Sequence, residues 1–383
     1  MTDHPGASNG LGSEAWLRKR SGYFREVIGY RESIDLLNDP RLLASFAGMF
    51  EAVGVTSGPL WEHATTALLS VNGEEHHRLR SLVAGSFTPR AAERLRPIAR
   101  ETAVSLVEEL ASNDTGDLIA DFAVPYLIKT LSHYTGFTEA ELVASYPAVE
   151  QVGRGMKDFA NRLDDLEEGF GLLLSCVRTA LDERREEQRE DLLGQIAAQV
   201  AAGSFPEPFA LGIMTAFLSA GLEPTINQVG LLVMVLSEYP DVWDAVGSGQ
   251  VEPARAVEAG LRMRSTNPSA MRRVAETFDY QGVTFDEGDV VVVDIAAANH
   301  DPRQFAPDEL DLNTSRSSHL AFGFGPHFCL GAALARVQLQ EALRALTERV
   351  TCPTILAMRE DDGSGGLVGP LTLTISLERR SSR

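Results

Sequence analysis

The chain has 383 residues, 44% hydrophobic and 23% charged, the composition of an ordinary globular protein. Its formal net charge of -20 argues against a nucleic-acid binder, because phosphate contacts need clustered Lys and Arg. Three widely spaced cysteines, Cys176, Cys329 and Cys352, form neither a disulfide framework nor a CxxC zinc site, which points to a reducing interior.

The opening MTDHPGASNGLGSEAW is polar and Gly-rich and carries no signal-peptide core, so residues 1–12 are expected to be a disordered tail and 13–383 a single domain. YFREVIGY reads as an early strand, after which helical periodicity dominates over Ala91–Leu110 and Asp158–Glu187. EDLLGQI (190–196) reads as the start of a surface helix. The longest apolar run, FALGIMTAFLSAGLEPTINQVGLLVMVL from Phe209, contains Glu223, Pro224, Asn227 and Gln228. Charge inside a membrane is expensive, so this run reads as a core helix rather than a span. Two readings of its middle stand: Glu223 is a functional acid, or one helix ends at Gly221 and another starts at Pro224.

Strand-like segments recur late, as FDYQGVTF, DVVVVDIAA and LTLTISLE, while ANHDPRQFAPDELD (298–311) reads as a structured loop. Leu339, Ala342, Leu343, Leu346 and Val350 mark one face of a late helix. The expected fold class is mainly α (α+β), with small sheets.

The segment FGFGPHFCLG (322–331) combines features that need a common cause. Gly323, Gly325 and Gly331 permit positive φ and close approach to a flat object, and Pro326 stiffens the loop. Cys329 leads into a helix, where free N–H groups and the macrodipole favour a thiolate. A lone thiolate suits a metal whose other ligands come from a macrocycle, as in haem. A buried structural cysteine in a tight loop is the alternative.

These ten residues resemble the haem-binding signature of the cytochrome P450 family, Phe-x-x-Gly-x-x-x-Cys-x-Gly, with Phe322, Gly325, Cys329 and Gly331 all in place. The likeness runs from NDPRL (38–42) to the last strands, in the order of bacterial soluble members. It implies an α-helical triangular prism with small β-sheets and a haem b whose iron takes the Cys329 thiolate. It further implies that His76 and Arg80, four apart on one helix face, grip a propionate, with Arg273 and His327 at the other haem-edge positions. His77 and Arg78 point elsewhere on that helix. Phe322 would shield the sulfur, and Ala335, Ala220 and Gly221 would face the cofactor.

Two departures from the family pattern matter. Ala220, Gly221, Leu222, Glu223, Pro224 and Thr225 align with Ala-Gly-x-Asp/Glu-Thr-Thr, so Pro224 stands where a threonine hydroxyl assists proton delivery. Glu223, Pro224 and Thr225 are therefore the distal catalytic candidates, and a substrate hydroxyl or a water on the opened carbonyl are alternative donors. In ARAVEAGLRMRS, Ala259 replaces the glutamate of Glu-x-x-Arg. Glu258 faces another direction, so Arg262 is expected to be held by loop carbonyls or another acid.

The family layout puts substrate near Met49, Phe50 and Trp61, at Gly153–Phe159, Ala216–Leu222, Pro268–Met271 and Leu367–Leu371. It implies O2, a small or medium organic substrate and electrons from a separate ferredoxin and ferredoxin reductase, with Arg90 and Arg336 as docking cations. The expected reaction is hydroxylation or epoxidation of a secondary-metabolite intermediate in the cytoplasm, with no nucleic-acid or membrane partner. The alternatives are oxidative coupling, cyclisation or desaturation by the same haem, and a haem-binding protein without oxygenase turnover.

Overall fold

The β-branched run Val290–Val293 has the alternation of a strand with one face in a core, and four other segments join it in one sheet. The computed structural model describes residues 16–19, 23–185, 189, 191–306, 309–314, 319–360 and 366–380; the expected tail at 1–12 lies outside them. The strands are β1 (Leu17–Lys19), β2 (Phe24–Val27), β3 (Leu42–Leu43), β4 (Thr115–Asp117), β5 (Ser269–Val274), β6 (Phe278–Tyr280), β7 (Val283–Phe285), β8 (Val290–Asp294), β9 (Ile355–Glu360) and β10 (Pro370–Ser376). They form one sheet in the order β1-β2-β8-β5-β3, a second in the order β4-β10-β9, and the hairpin β6-β7. Gln281 (φ 48°) and Gly282 (φ 84°) make that hairpin's two-residue turn, the arrangement a right-twisted pair of strands prefers.

The helices are α1 (Tyr30–Leu37), α2 (Phe46–Glu51), α3 (Gly58–Thr66), α4 (Gly73–Ala84), α5 (Pro89–Glu93), α6 (Arg96–Leu110), α7 (Val124–Thr135), α8 (Glu139–Lys157), α9 (Leu163–Arg184), α10 (Leu192–Ala201), α11 (Glu207–Ser237), α12 (Pro240–Gly247), α13 (Pro253–Met263), α14 (Ile295–Ala298) and α15 (Ala332–Arg349). Local signals set several starts. Thr138 and Glu141 close a capping box on α8, and Asp191 accepts from Gly194 N–H to begin α10, as EDLLGQI leads one to expect.

Helix boundaries differ from the periodicity in three places. Ala91–Leu110 breaks near Arg94 and Leu95, because Pro97 takes the first turn of α6. The 158–187 run starts as helix only at Leu163, after a turn closed by Asp158 O; Glu187 lies outside the described residues. The apolar run from Phe209 is one helix, not two: α11 continues through Pro224, and the Thr225 hydroxyl donates to Gly221 O at 3.3 Å. By length and composition α11 could cross a membrane, but it packs against α3, α7, α8, α9, α13, α15 and β10. Its polar residue Gln228 is satisfied there, accepting from Thr266 N–H and donating to Arg264 O.

α15, which follows Cys329, is pinned along its length. Arg96 and Arg100 of α6 reach the fully buried Glu341 carboxylate. Tyr126 Oη donates to Gln338 O at 2.9 Å, and Trp243 Nε1 donates to Val350 O at 3.0 Å. Trp243 is fully buried, so Trp243→Ala is expected to cost about 3–5 kcal/mol in urea unfolding. Trp243→Leu, which keeps most of the apolar volume, should cost less; equal losses would contradict a packing role.

Candidate active site

The cysteine loop leaves the core at His319 and re-enters it as α15. Gly325, at φ 75°, needs glycine: a Cβ there would lie 2.6 Å from Leu37 O and 2.7 Å from Asn38 Oδ1. Gly331 is different. Its φ is -83° and a Cβ would meet no protein atom within 4 Å, so nothing in the chain itself demands glycine. Cys329 N–H donates to Phe322 O at 2.9 Å, which folds the loop back under the sulfur.

Cys329 is an exposed residue, yet crowding by surrounding protein pushes its thiol above the usual range. The N–H groups of Gly331 and Ala332 and the guanidiniums of Arg80 and Arg336 pull the other way and do not prevail. The helix terminus favours the thiolate as expected, but in the chain by itself desolvation outweighs it. The proton leaves when a metal binds. On α11, Ala220 is exposed at mid-helix while Leu218 and Leu222 are buried.

Four cationic or donor groups converge at one rim. The ring of His76 of α4 lies tilted against that of His327, centroids 4.2 Å apart, and its buried Nε2 has no protein partner. Arg80, one turn on, donates to Phe328 O at 2.7 Å and acts on the Cys329 sulfur. His327 Nε2 lies 3.3 Å from Asn72 Oδ1. Burial first, then the neighbouring His76 and the guanidiniums of Arg272 and Arg80, push His327 down to about 3.

The strand arginine at this rim is Arg272, not Arg273. On β5 the side chains alternate: Arg272 is 7% exposed and faces His327, while Arg273 is exposed on the other face. RRVAE could not reveal the phase, because both residues are arginine. Arg336 is also relocated. Expected as a surface cation, it is buried and forked onto Glu258 at 2.8 and 3.0 Å, with its guanidinium 4.5 Å above the Phe322 ring. Arg90 is exposed at the start of α5, and His77 and Arg78 are exposed on α4.

Arg262, with alanine at 259, donates to Asn299 O (3.1 Å) and Glu309 O, carbonyls of the segment before the cysteine loop. Asn299 Oδ1 in turn accepts from Leu320 N–H at 2.7 Å. On the distal side the Glu223 carboxylate packs against Gly153 of α8, where any Cβ would overlap it. Pro224 is half-buried and Ala335 lies half-buried on the first turn of α15. Of the substrate-facing set, Phe50 is fully buried between Phe46 and Phe159, whereas Met49 and Trp61 are half-buried.

A cytochrome P450 family model matches residues 256–351. The chain is 31% identical over 354 residues to luteothin monooxygenase of Streptomyces thioluteus, covering 91% of this chain and 87% of that one. It is 32% identical over 353 residues to the mycinamicin IV hydroxylase/epoxidase of Micromonospora griseorubida, covering 88% and 83%. The crystal structure of CalO2 superposes with a TM-score of 0.86 at 26% identity, over 95% of this chain and 93% of that one.

A helix-rich fold with one loop cysteine beneath a long core helix defines a haem-thiolate protein. The chain belongs to the cytochrome P450 family and is a monooxygenase of that family, with a haem held by an axial cysteine thiolate. The residues present fit that group. Gly331 leaves room at the loop surface, and the unpartnered His76 Nε2 with Arg80, Arg272 and His327 suits two carboxylates.

Burial also holds His76 below its usual value, so both rim histidines are neutral in the fold. Unfolded histidines protonate near pH 6.5, so the apoprotein is expected to lose stability as pH falls from about 6.5 towards 3. Urea midpoints of the apoprotein at stepped pH check this. His327→Asn should flatten the slope, and haem loading should flatten it too by supplying anions; an unchanged slope in both would contradict the arrangement.

Proposed function

We propose that Cys329 is the axial ligand and that the chain oxidises a secondary-metabolite intermediate by hydroxylation or epoxidation. The observation that carries the ligand assignment is the exposed Cys329 at the end of the Phe322–Gly331 loop, with the Arg80 guanidinium acting on its sulfur and the His76, His327 and Arg272 cluster beside Arg80. Relatives named for luteothin and mycinamicin IV oxidation support the reaction class. Bound haem supplies dioxygen activation; the chain supplies everything that places substrate and protons.

His76, Arg80, Arg272 and His327 hold the propionates, each by a donor aimed at one rim. Phe322, under the Arg336 guanidinium, keeps water from the sulfur. Ala216, Ala220 and Gly221 leave space above it on α11. Gln228 clasps Thr266, which exchanges hydrogen bonds with Val368 (2.7 and 2.9 Å), so the Pro268–Met271 and Leu367–Leu371 walls are fixed to α11. That rigid wall places one region of the substrate over the iron.

Pro224 removes both a hydroxyl and an N–H from the distal helix, leaving Ala220 O without its helical donor. Thr225 does not replace the missing hydroxyl, because its own is engaged with Gly221 O. Protons then reach the site through water or a substrate hydroxyl at the opened carbonyl, with Glu223 the nearest acid on α11. Electrons come from a separate ferredoxin and its reductase, with Arg90 on the docking face. The account treats 13–383 as one domain acting in the cytoplasm. Desaturation or coupling stays the second reading, favoured by Pro224 alone.

Haem-loaded protein turned over with a ferredoxin, its reductase and NADPH, and read by mass, is expected to give product with one added oxygen. A loss of two hydrogens would favour the second reading, and no product with any macrolide or polyketide offered would count against both. Pro224→Thr should raise product formed per electron consumed by about fivefold, the worth of one hydrogen bond. An unchanged ratio would show that position 224 does not limit proton delivery.

A further inference from the structure

A buried carboxylate behind the cysteine loop has no role in the scheme above. Glu258 of α13 is 3% exposed and makes three hydrogen bonds. Its Oε1 accepts from Arg336 Nε at 2.8 Å; its Oε2 accepts from Arg336 Nη2 and His319 Nε2, each at 3.0 Å. His319 Nδ1 accepts from Ala321 N–H at 3.2 Å, which leaves Nε2 as the ring's donor to Glu258. The cluster therefore holds one negative and one positive charge.

Its place in the chain gives it leverage. His319 comes ten residues before Cys329 and Arg336 seven after, so one side chain on a third element ties both ends of the segment that carries the sulfur. The link continues inward: Arg336 lies over Phe322, and Phe322 O receives the Cys329 N–H. The Arg336 charge reaches the sulfur directly. With alanine at 259, no glutamate stands at the family's bracing position, and Arg262 donates to the main-chain carbonyls of Asn299 and Glu309.

We propose that Glu258 is a positioning residue for the haem ligand: it holds the cysteine segment at both ends and, by neutralising Arg336, keeps the reduction potential of the iron low. The inference rests on Cys329 being the ligand. Reduction adds negative charge at the iron and sulfur, so an uncompensated Arg336 favours the reduced form and an absent Arg336 disfavours it.

The experiment uses the full haem-loaded chain and three variants, Glu258→Gln, Arg336→Gln and the double variant. Redox titration is expected to show the midpoint potential raised by Glu258→Gln, lowered by Arg336→Gln and returned near the native value in the double variant. Glu258→Ala, which also removes the hydrogen bonds, should transfer haem to apomyoglobin about tenfold faster and shift the ferrous-CO band towards that of a neutral thiol ligand. Glu287→Gln, at an exposed site on the β7–β8 turn, is the control and should change neither. If Glu258→Ala does not fold, the three glutamine variants carry the test by themselves. Potentials that fall together, or do not move, in a wild type that shows the thiolate-CO band would overturn the Glu258 role and leave the ligand assignment intact. A wild type without that band would overturn the ligand assignment instead.

Discussion

Everything in this molecule turns on holding one sulfur still in a place where it would rather stay protonated. A thiol inside protein resists ionisation, and the loop's own N–H groups do not reverse that. The fold meets the constraint by rigidity. Phe322 O takes the cysteine N–H, Gly325 lets the loop pass against the end of α1, and α15 is fixed by ties to α6, α7 and α12. On the proposed assignment, an iron brought by the haem would find the Cys329 sulfur already in position, and its charge would supply the ionisation the protein withholds.

The opposite edge of the site follows a different logic. There the chain collects positive and donor groups without an acid among the charges that act on His327, and burial leaves His76 Nε2 unpartnered. Such an arrangement is costly in isolation and makes sense as one half of an ion pair with the cofactor. If these four side chains hold the propionates as proposed, cofactor binding and folding stability are coupled through them.

Much of this was legible in the sequence because the cysteine segment is local. Ten consecutive residues fix the turn, the ligand and the following helix, and the long apolar run of α11 announces the distal wall. What was not legible depends on contacts between distant segments or on phase. The paired arginines Arg272 and Arg273 cannot be told apart without strand register, which β5–β8 pairing supplies. Arg336 reads as a surface cation until Glu258, 78 residues earlier, is seen to face it. Pro224 reads equally as a helix start or an interior residue, and only packing on several sides keeps α11 continuous. The distal chemistry is where this chain departs furthest from its relatives' pattern, and α11 there offers a carbonyl where the pattern has a hydroxyl.

The most direct measurement is the absorption spectrum of the haem-loaded protein after dithionite reduction and CO binding, taken beside Cys329→Ser. The account predicts the red-shifted Soret band of a thiolate-ligated ferrous-CO complex in the native chain and its loss on substitution. The same red-shifted band in Cys329→Ser, or a native chain whose band matches histidine ligation, would contradict it.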